Sequence, residues 1–355
     1  ANVTNMSEMF SGAESFNQSL QNWNTSSVTD MSGMFSGAES FNQSLQSWNT
    51  ANVTNMSEMF REAKAFDQSL QGWNTSNVTD MSGIFSGARS FNQSLQSWNT
   101  TNVTDMSEMF ESALSFNQSL QDWKTQNVED MSYMFHQAEI FNSSIRNWNT
   151  SKVKDMSYMF FGAKNFNKNI NTEGQYWDTS NVTDMSGMFK SAGAFSQDLN
   201  FWNTSKVEDM SFMFSSTAAF KGNIKSWNTS NVMNMSGMFW GSMTFNSDLS
   251  EWDTSKVTDM SKMFSTALSF NSDISRWNTS NVLDMSSLFS VASQFNQNIS
   301  QWDTSKVINM SRMFNKAVFF NQDLTSWNVD SVVNHTDFAR DTTRFEKSNY
   351  PHFNH

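Results

Sequence analysis

Apolar residues recur in this chain at fixed positions between polar stretches. From Val28 the order is Val-Thr-Asp-Met-Ser-Gly-Met-Phe-Ser-Gly-Ala-Glu-Ser-Phe-Asn-Gln-Ser-Leu-Gln-Ser-Trp-Asn-Thr. Met31, Met34, Phe35 and Ala38 follow Asp30 at the i, i+3, i+4, i+7 spacing of one helix face. Asp30 stands at the cap position, where its carboxylate accepts from free amides of a first turn. Glu8, Glu58 and Glu108 occupy the matching capping-box position. The spacing therefore predicts one short helix of about two turns. Residues 41–45 (Phe-Asn-Gln-Ser-Leu) are too few for a second helix and predict a short extended rung, paired in parallel with the next one. Trp48-Asn-Thr then forms a turn back.

The pattern repeats along nearly the whole chain. Trp stands at 23, 48, 73, 98, 123, 148, 177, 202, 227, 252, 277, 302 and 327, always 25 apart except for the 29 from Trp148 to Trp177. Val marks the same period from Val3 to Val332 and defines 14 units. These columns hold 24 of the 26 Met, 27 of the 33 Phe and 13 of the 14 Trp; Trp240 alone lies outside the Trp series. One unit cannot bury its apolar face, whereas a stack shares a continuous core. The predicted fold is a repeat solenoid of the leucine-rich-repeat-like α/β kind, with 14 coils of 25 residues, each a short helix plus a short parallel strand rung.

Departures from the period divide the chain. Residues 1–331 read as the solenoid, with a four-residue insertion near 171–176. Residues 332–355 read as a degenerate last repeat and C-terminal cap: His335 replaces Met, Ala339 replaces Phe, and Arg340, Arg344, Glu346 and Lys347 appear. Residues 1–10 are identical to residues 51–60, so the chain opens inside a repeat, and either further repeats or a domain before Ala1, or another molecule covering this end, is expected. The unit also alternates in pairs. The fifth residue after Val runs Glu8, Gly33, Glu58, Gly83, Glu108, and the residue before Val runs Lys152, Asn181, Lys206, Asn231, Lys256, Asn281, Lys306. Spacing of like charges and duplication of a two-unit block both account for it.

Composition adjusts this picture. Hydrophobic residues make up 37%, below the ~45–50% of ordinary domains, but they are bulky and sit in columns, so a thin core is expected rather than disorder. A net charge of −12 argues against nucleic acid and anionic membrane as main partners. There is no Cys, which removes disulfides and thiol chemistry, and no apolar run reaches the ~20 residues of a membrane span.

Little in the sequence points to catalysis. His136, His335, His352 and His355 form no column and no recognisable triad, and no phosphate-binding Gly loop or nucleophile elbow occurs. No catalytic residue, cofactor or metal is expected. The Asp/Asn column reads as cap residues, with a stacked calcium site as the sharper alternative. Thr4, Thr29, Thr54, Thr79 and Thr104 form a column that breaks at Glu129 and Lys154, too short for a regular ice-binding face. Asn2, Asn17, Asn42, Asn77, Asn117, Asn203 and Asn228 head Asn-x-Ser/Thr sequons. They read either as glycan acceptors or as turn residues that create sequons automatically. The insertion, with Thr172, Glu173, Gly174, Gln175 and Tyr176, reads either as a binding loop or as a bulge the stack tolerates.

The pattern Trp-[Asn/Asp]-Thr-Ser-x-Val-x-[Asp/Asn]-Met-Ser-x-Met-Phe-x-x-Ala-x-x-Phe-Asn-x-x-[Leu/Ile] resembles the repeat of BspA-like bacterial surface proteins, also known as a mycoplasma domain of unknown function. The Phe35, Ala38, Phe41, Leu45 stretch is similar to the treponemal leucine-rich repeat. The resemblance implies an extracellular or cell-surface solenoid without enzymatic activity. Its partners would be a host or matrix protein or a glycan. The near-identical units leave an alternative, a structural subunit of an extracellular filament or surface layer assembled with copies of itself by solenoid stacking.

Overall fold

The computed structural model describes residues 3–173 and 175–353. The chain divides into two compact units, Ala1–Asn181 and Val182–His355. Each is a stack of coils linked by parallel bridges at a 25-residue register. In the first unit the bridges run from Asn5 through Asp30, Asn55, Asp80, Asp105 and Asp130 to Asp155, and in the second from Asp184 to Asn334. The bridging residue is thus the Asp/Asn column. The expected rung at residues 41–45 forms no bridge among the described residues. There the Asn column joins coils through its side chains, the Asn42 amide donating to Asn17 Oδ1 at 3.0 Å and the Asp67 amide to Asn42 Oδ1 at 3.0 Å.

The expected helix is replaced by a run of turns. Among the described residues the only helix is a single 3-10 turn, Lys347–Asn349. After Asp30 the backbone amides alternate. Those of Met34, Ser36 and Ala38 donate to the carbonyls of Met31, Gly33 and Phe35 at 3.0–3.3 Å. Those of Met31, Gly33, Phe35 and Gly37 donate to Asn55, Ser57, Met59 and Arg61 of the next coil at 2.7–3.0 Å. An α-helix would hold all of these bonds within one coil; here half of them are spent on stacking. Asp30 accepts from the Ser32 amide and hydroxyl at 2.9 and 2.7 Å, so the predicted cap is an Asx turn that opens the run.

Two of these three turns, 31–34 and 35–38, have a positive φ at their third residue, as turns of this hand require. Two columns carry it, with Gly33 at 57° and Gly37 at 71°, and Glu58 at 54° and Glu62 at 53° one coil on. Nine of the chain's 13 Gly stand in these two columns. Glu8, Glu58 and Glu108 are therefore left-handed turn residues and not members of a capping box. The pairwise Glu/Gly alternation gains a steric reason. A Cβ on Gly33 or Gly83 would lie 3.3 Å from Cγ of Glu8 or Glu58, so the longer side chain lies across the Gly of the following coil. The Lys/Asn alternation is a donor–acceptor match, with Lys152 Nζ on Asn127 Oδ1 and Lys306 Nζ on Asn281 Oδ1, both at 2.7 Å.

The apolar columns form the core as expected. Val28, Met31, Met34, Phe35, Ala38, Phe41 and Leu45 are fully buried and Trp48 nearly so. Phe35 stacks on Phe41 at 4.1 Å within its coil and on Phe60 at 5.6 Å in the next. Along the column the indole N–H donates to a backbone carbonyl, as Trp48 does to Leu20 and Trp73 to Leu45, both at 3.1 Å, which removes the penalty of an unpaired buried donor. In the second unit, residues 345–353 fold across the last coil. His335 stacks on Phe353 at 4.2 Å, and Phe338 and Phe345 are buried beneath Tyr350.

Candidate functional site

The insertion projects from the edge of the first unit where the Trp turns align. It leaves the Trp column of the first unit in place. Trp177 still donates from Nε1 to the Ile145 carbonyl at 2.9 Å, as its column does elsewhere. Thr172 is buried, and its Oγ1 accepts from the Trp177 amide at 2.9 Å. The Gln175 amide donates to the Thr172 carbonyl at 3.1 Å, and the Tyr176 carbonyl accepts from Thr150 at 3.1 Å. Thr172 is thus a staple at the base of the loop. Glu173, at a φ of 55°, Gln175 and Tyr176 are exposed on it. Gly174 lies outside the described residues.

Gln175 and Tyr176 overhang an earlier coil and close a cleft of about 350 Å³ with Gln121, Asp122, Lys124 and Gln126. This is near the lower end of ligand pockets, ~300–1,000 Å³. The cleft is where departures from the repeat meet. Every other residue directly after a column Trp is Asn or Asp, and Lys124 alone is cationic. Gln126 replaces the Ser, Ala or Thr usual two places further on. At Asn49, Asn74, Asn99 and Asn149 the Oδ1 accepts the amide two residues ahead at 3.0 Å. Lys124 has no acceptor to offer, so the coil gives up a bond worth ~1 kcal/mol at this point. Its backbone is otherwise ordinary, with its amide on Thr100 Oγ1 at 2.8 Å.

The charges here are uncommitted. Neither Lys124 nor Asp122 enters an ion pair among the described residues. The second unit has a cleft of its own beside its Trp turns, bordered by Phe201, Lys225 and Glu251. There Lys225 is held by Asp248 at 2.9 Å, and this contact with the Ser250 bonds brings the Asp248 carboxyl down to about 2. Of these two clefts, then, the Lys124 one holds an ammonium that enters no ion pair among the described residues.

The sequon residues are spread over several surfaces. Asn17, Asn42 and Asn117 belong to the inter-coil Asn ladder. Asn77 already donates from its amide nitrogen to the Ala51 carbonyl at 2.7 Å. Asn203 and Asn228 accept in Asx turns from Ser205 and Ser230 at 3.1 and 3.0 Å. Asn2 lies outside the described residues.

One hydrogen-bonded His–Glu pair was hidden by the 25-residue register. His136 Nδ1 lies 2.8 Å from Glu111 Oε1, and Ser86 donates to the other carboxylate oxygen at 3.0 Å. Ser86 and His136 meet only through Glu111, so the order is not that of a nucleophilic triad. His352 is exposed, and His355 lies outside the described residues. Among the described residues no group of three or more His, Cys, Asp or Glu could hold a metal ion, and no helix is long and apolar enough to cross a membrane. The Asp column is occupied with its own turns. The Asp130 carboxyl, flanked by Asp105 and Asp155, is raised above the usual carboxylate value, chiefly by its partial burial.

Solved structures similar to the chain include leucine-rich-repeat proteins. The Drosophila Toll–Spätzle complex matches at 8% identity and a TM-score of 0.26, over 88% of this chain and 42% of that one. The TLR13–ssRNA13 complex matches at 10% identity and a TM-score of 0.26, over 84% of this chain and 46% of that one. A leucine-rich-repeat protein of Leptospira interrogans matches at 9% identity and a TM-score of 0.24, over 85% and 72%. The chain spans less than half the length of the first two. No curated protein matches its sequence. The family model described as Mycoplasma protein of unknown function, DUF285, matches four times, over residues 1–96, 68–173, 169–258 and 241–353. With that model covering the repeats from end to end, the chain belongs to the DUF285 family.

Proposed function

We propose that this is a non-enzymatic binding protein of the cell surface or extracellular space, which engages a host or matrix protein or a glycan. One observation carries the reading. Lys124, Gln126 and the 171–176 insertion are separate departures from the repeat, about 50 residues apart in sequence, and all border a single cleft. The stack requires none of them, since the other coils do without. Residues kept at a small loss of stability in a concave polar site are those expected to touch a ligand.

The test is a screen of the full chain on glycan and matrix-protein arrays, beside a variant with the insertion cut back to the 25-residue period. Binding by the full chain that the shortened variant loses supports the reading. Equal profiles for the two would remove the cleft from the account.

A second reading, assembly with copies of itself, has its own support. In the second unit the column after Val presents Met233, Leu283, Ile308 and Val333, exposed by 46%, 43%, 46% and 83%. In the first unit that column is Thr29, Thr54, Thr79 and Thr104 before Glu129 and Lys154, and in the second Thr258 stands between Met233 and Leu283, so the fold does not need aliphatic residues there. An exposed aliphatic column marks an interaction surface. Light scattering across a concentration series checks it: self-association that Leu283→Thr with Ile308→Thr weakens favours assembly, and a monomer at every concentration excludes it.

A further inference from the structure

The Lys124 cleft carries a definite ligand chemistry. Its wall holds an exposed aromatic ring, Tyr176, and the primary amides of Gln121, Gln126 and Gln175. Each amide presents a donor and an acceptor on one planar group, which matches the paired hydroxyls of a sugar ring. The ring of Tyr176 offers an apolar face with a polar tip, suited to the C–H face of that sugar. Apolar ligands would leave those amides unpaired, at a penalty for each.

The charge narrows the class. Lys124 takes the place of the column's Asn or Asp and makes no ion pair among the described residues, in a chain of net charge −12. A lone ammonium in a partly enclosed cleft is a point-charge partner for one anionic group. Asp122 borders the same cleft and can only accept, so it suits a sugar hydroxyl and disfavours a second anionic group on the ligand.

We infer that the cleft binds an acidic sugar, its anionic group on Lys124, its ring on Tyr176 and its hydroxyls on the surrounding glutamines and Asp122. This rests on the binding reading above and names the ligand class for that site. The loop is suited to the task because its base is fixed by Thr172, so little ordering is left to be lost on binding.

The test uses the full chain and three related probes in titration calorimetry at low salt: lactose, 3′-sialyllactose and sulfated lactose. At least one anionic probe is expected to bind about tenfold or more above lactose, and to weaken as salt rises. The carboxylated and sulfated arms distinguish the two sources of charge. Lys124→Asn restores the repeat's own residue, so the fold should keep or gain stability while the anionic preference disappears. Tyr176→Ala should weaken binding about tenfold without changing that preference. Lactose binding as tightly as both anionic probes, an unchanged preference in Lys124→Asn, or no binding of any probe would each overturn the inference. A protein partner captured on the arrays through the insertion, with no acidic sugar bound, would leave the binding reading standing and this inference refuted.

Discussion

The Nδ1 of His136 sits 2.8 Å from Oε1 of Glu111, one coil apart. The imidazole lies against Phe161 at 4.8 Å and meets Tyr133 edge-on. The hydrogen bond from His136 is the largest influence holding the Glu111 carboxyl below its ordinary value of 4.5, with burial opposing it. A carboxyl lowered in the folded state contributes stability that is present above its unfolded value and lost as pH falls through its folded one. His136→Ser, which installs the residue common in this column, should therefore lower stability at pH 6. The difference from wild type should narrow as pH drops below about 4, leaving the part due to the lost ring contacts. Chemical denaturation at the two pH values checks this, and a gap unchanged at acid pH would detach the pair from stability.

The Trp column and the stray Trp should behave differently. Trp202 is 3% exposed, whereas Trp240 is 41% exposed and leans on Phe212 and Lys262. Trp202→Ala should lose the ~3–5 kcal/mol typical of large core truncations, and Trp240→Ala well under ~1 kcal/mol. Equal losses in thermal melts would contradict the column account.

Two glycines of the second unit separate turn geometry from general flexibility. Gly237 has a φ of 58°, and a methyl there would collide with the Phe212 ring. Gly193 has nothing within 4 Å of a built Cβ and no positive φ. Gly237→Ala should destabilise by more than the ~1–2 kcal/mol of a left-handed alanine, while Gly193→Ala should be neutral or slightly stabilising. Comparable melting temperatures for the two variants would count against the run of turns.

Lys225 offers a further check on the electrostatics. Asp248 is brought down to about 2 with Lys225 as the leading cause. In Lys225→Ala its carboxyl titration, followed by NMR, should move up towards 3.8. An unmoved titration would leave the Ser250 bonds as the whole cause.

The sequence announced the repeat, the buried columns and the odd position of Trp240, because a side chain that must face the core recurs wherever the coil does. It misdirected the local structure for a physical reason. Met31, Met34, Phe35 and Ala38 face inward at spacings of three and four in a helix and in a run of turns alike. The distinguishing signal was glycine: Gly33 and Gly37 inside a supposed helix would each lose ~1 kcal/mol relative to alanine, yet they suit positive φ. The rung at residues 41–45 was misplaced because inter-coil bonding there runs through Asn side chains. The cleft could not be seen in one repeat, since its walls come from different coils. The signal that could have found it was substitution against the column at Lys124 and Gln126.

The most direct test of the central claim is a hydrogen-exchange footprint of the full chain bound to whichever partner the arrays identify. The account predicts protection confined to residues 121–126 and 171–177, abolished when the insertion is cut back. Protection along the column of Met233, Leu283, Ile308 and Val333, with 121–126 and 171–177 unchanged, would contradict it.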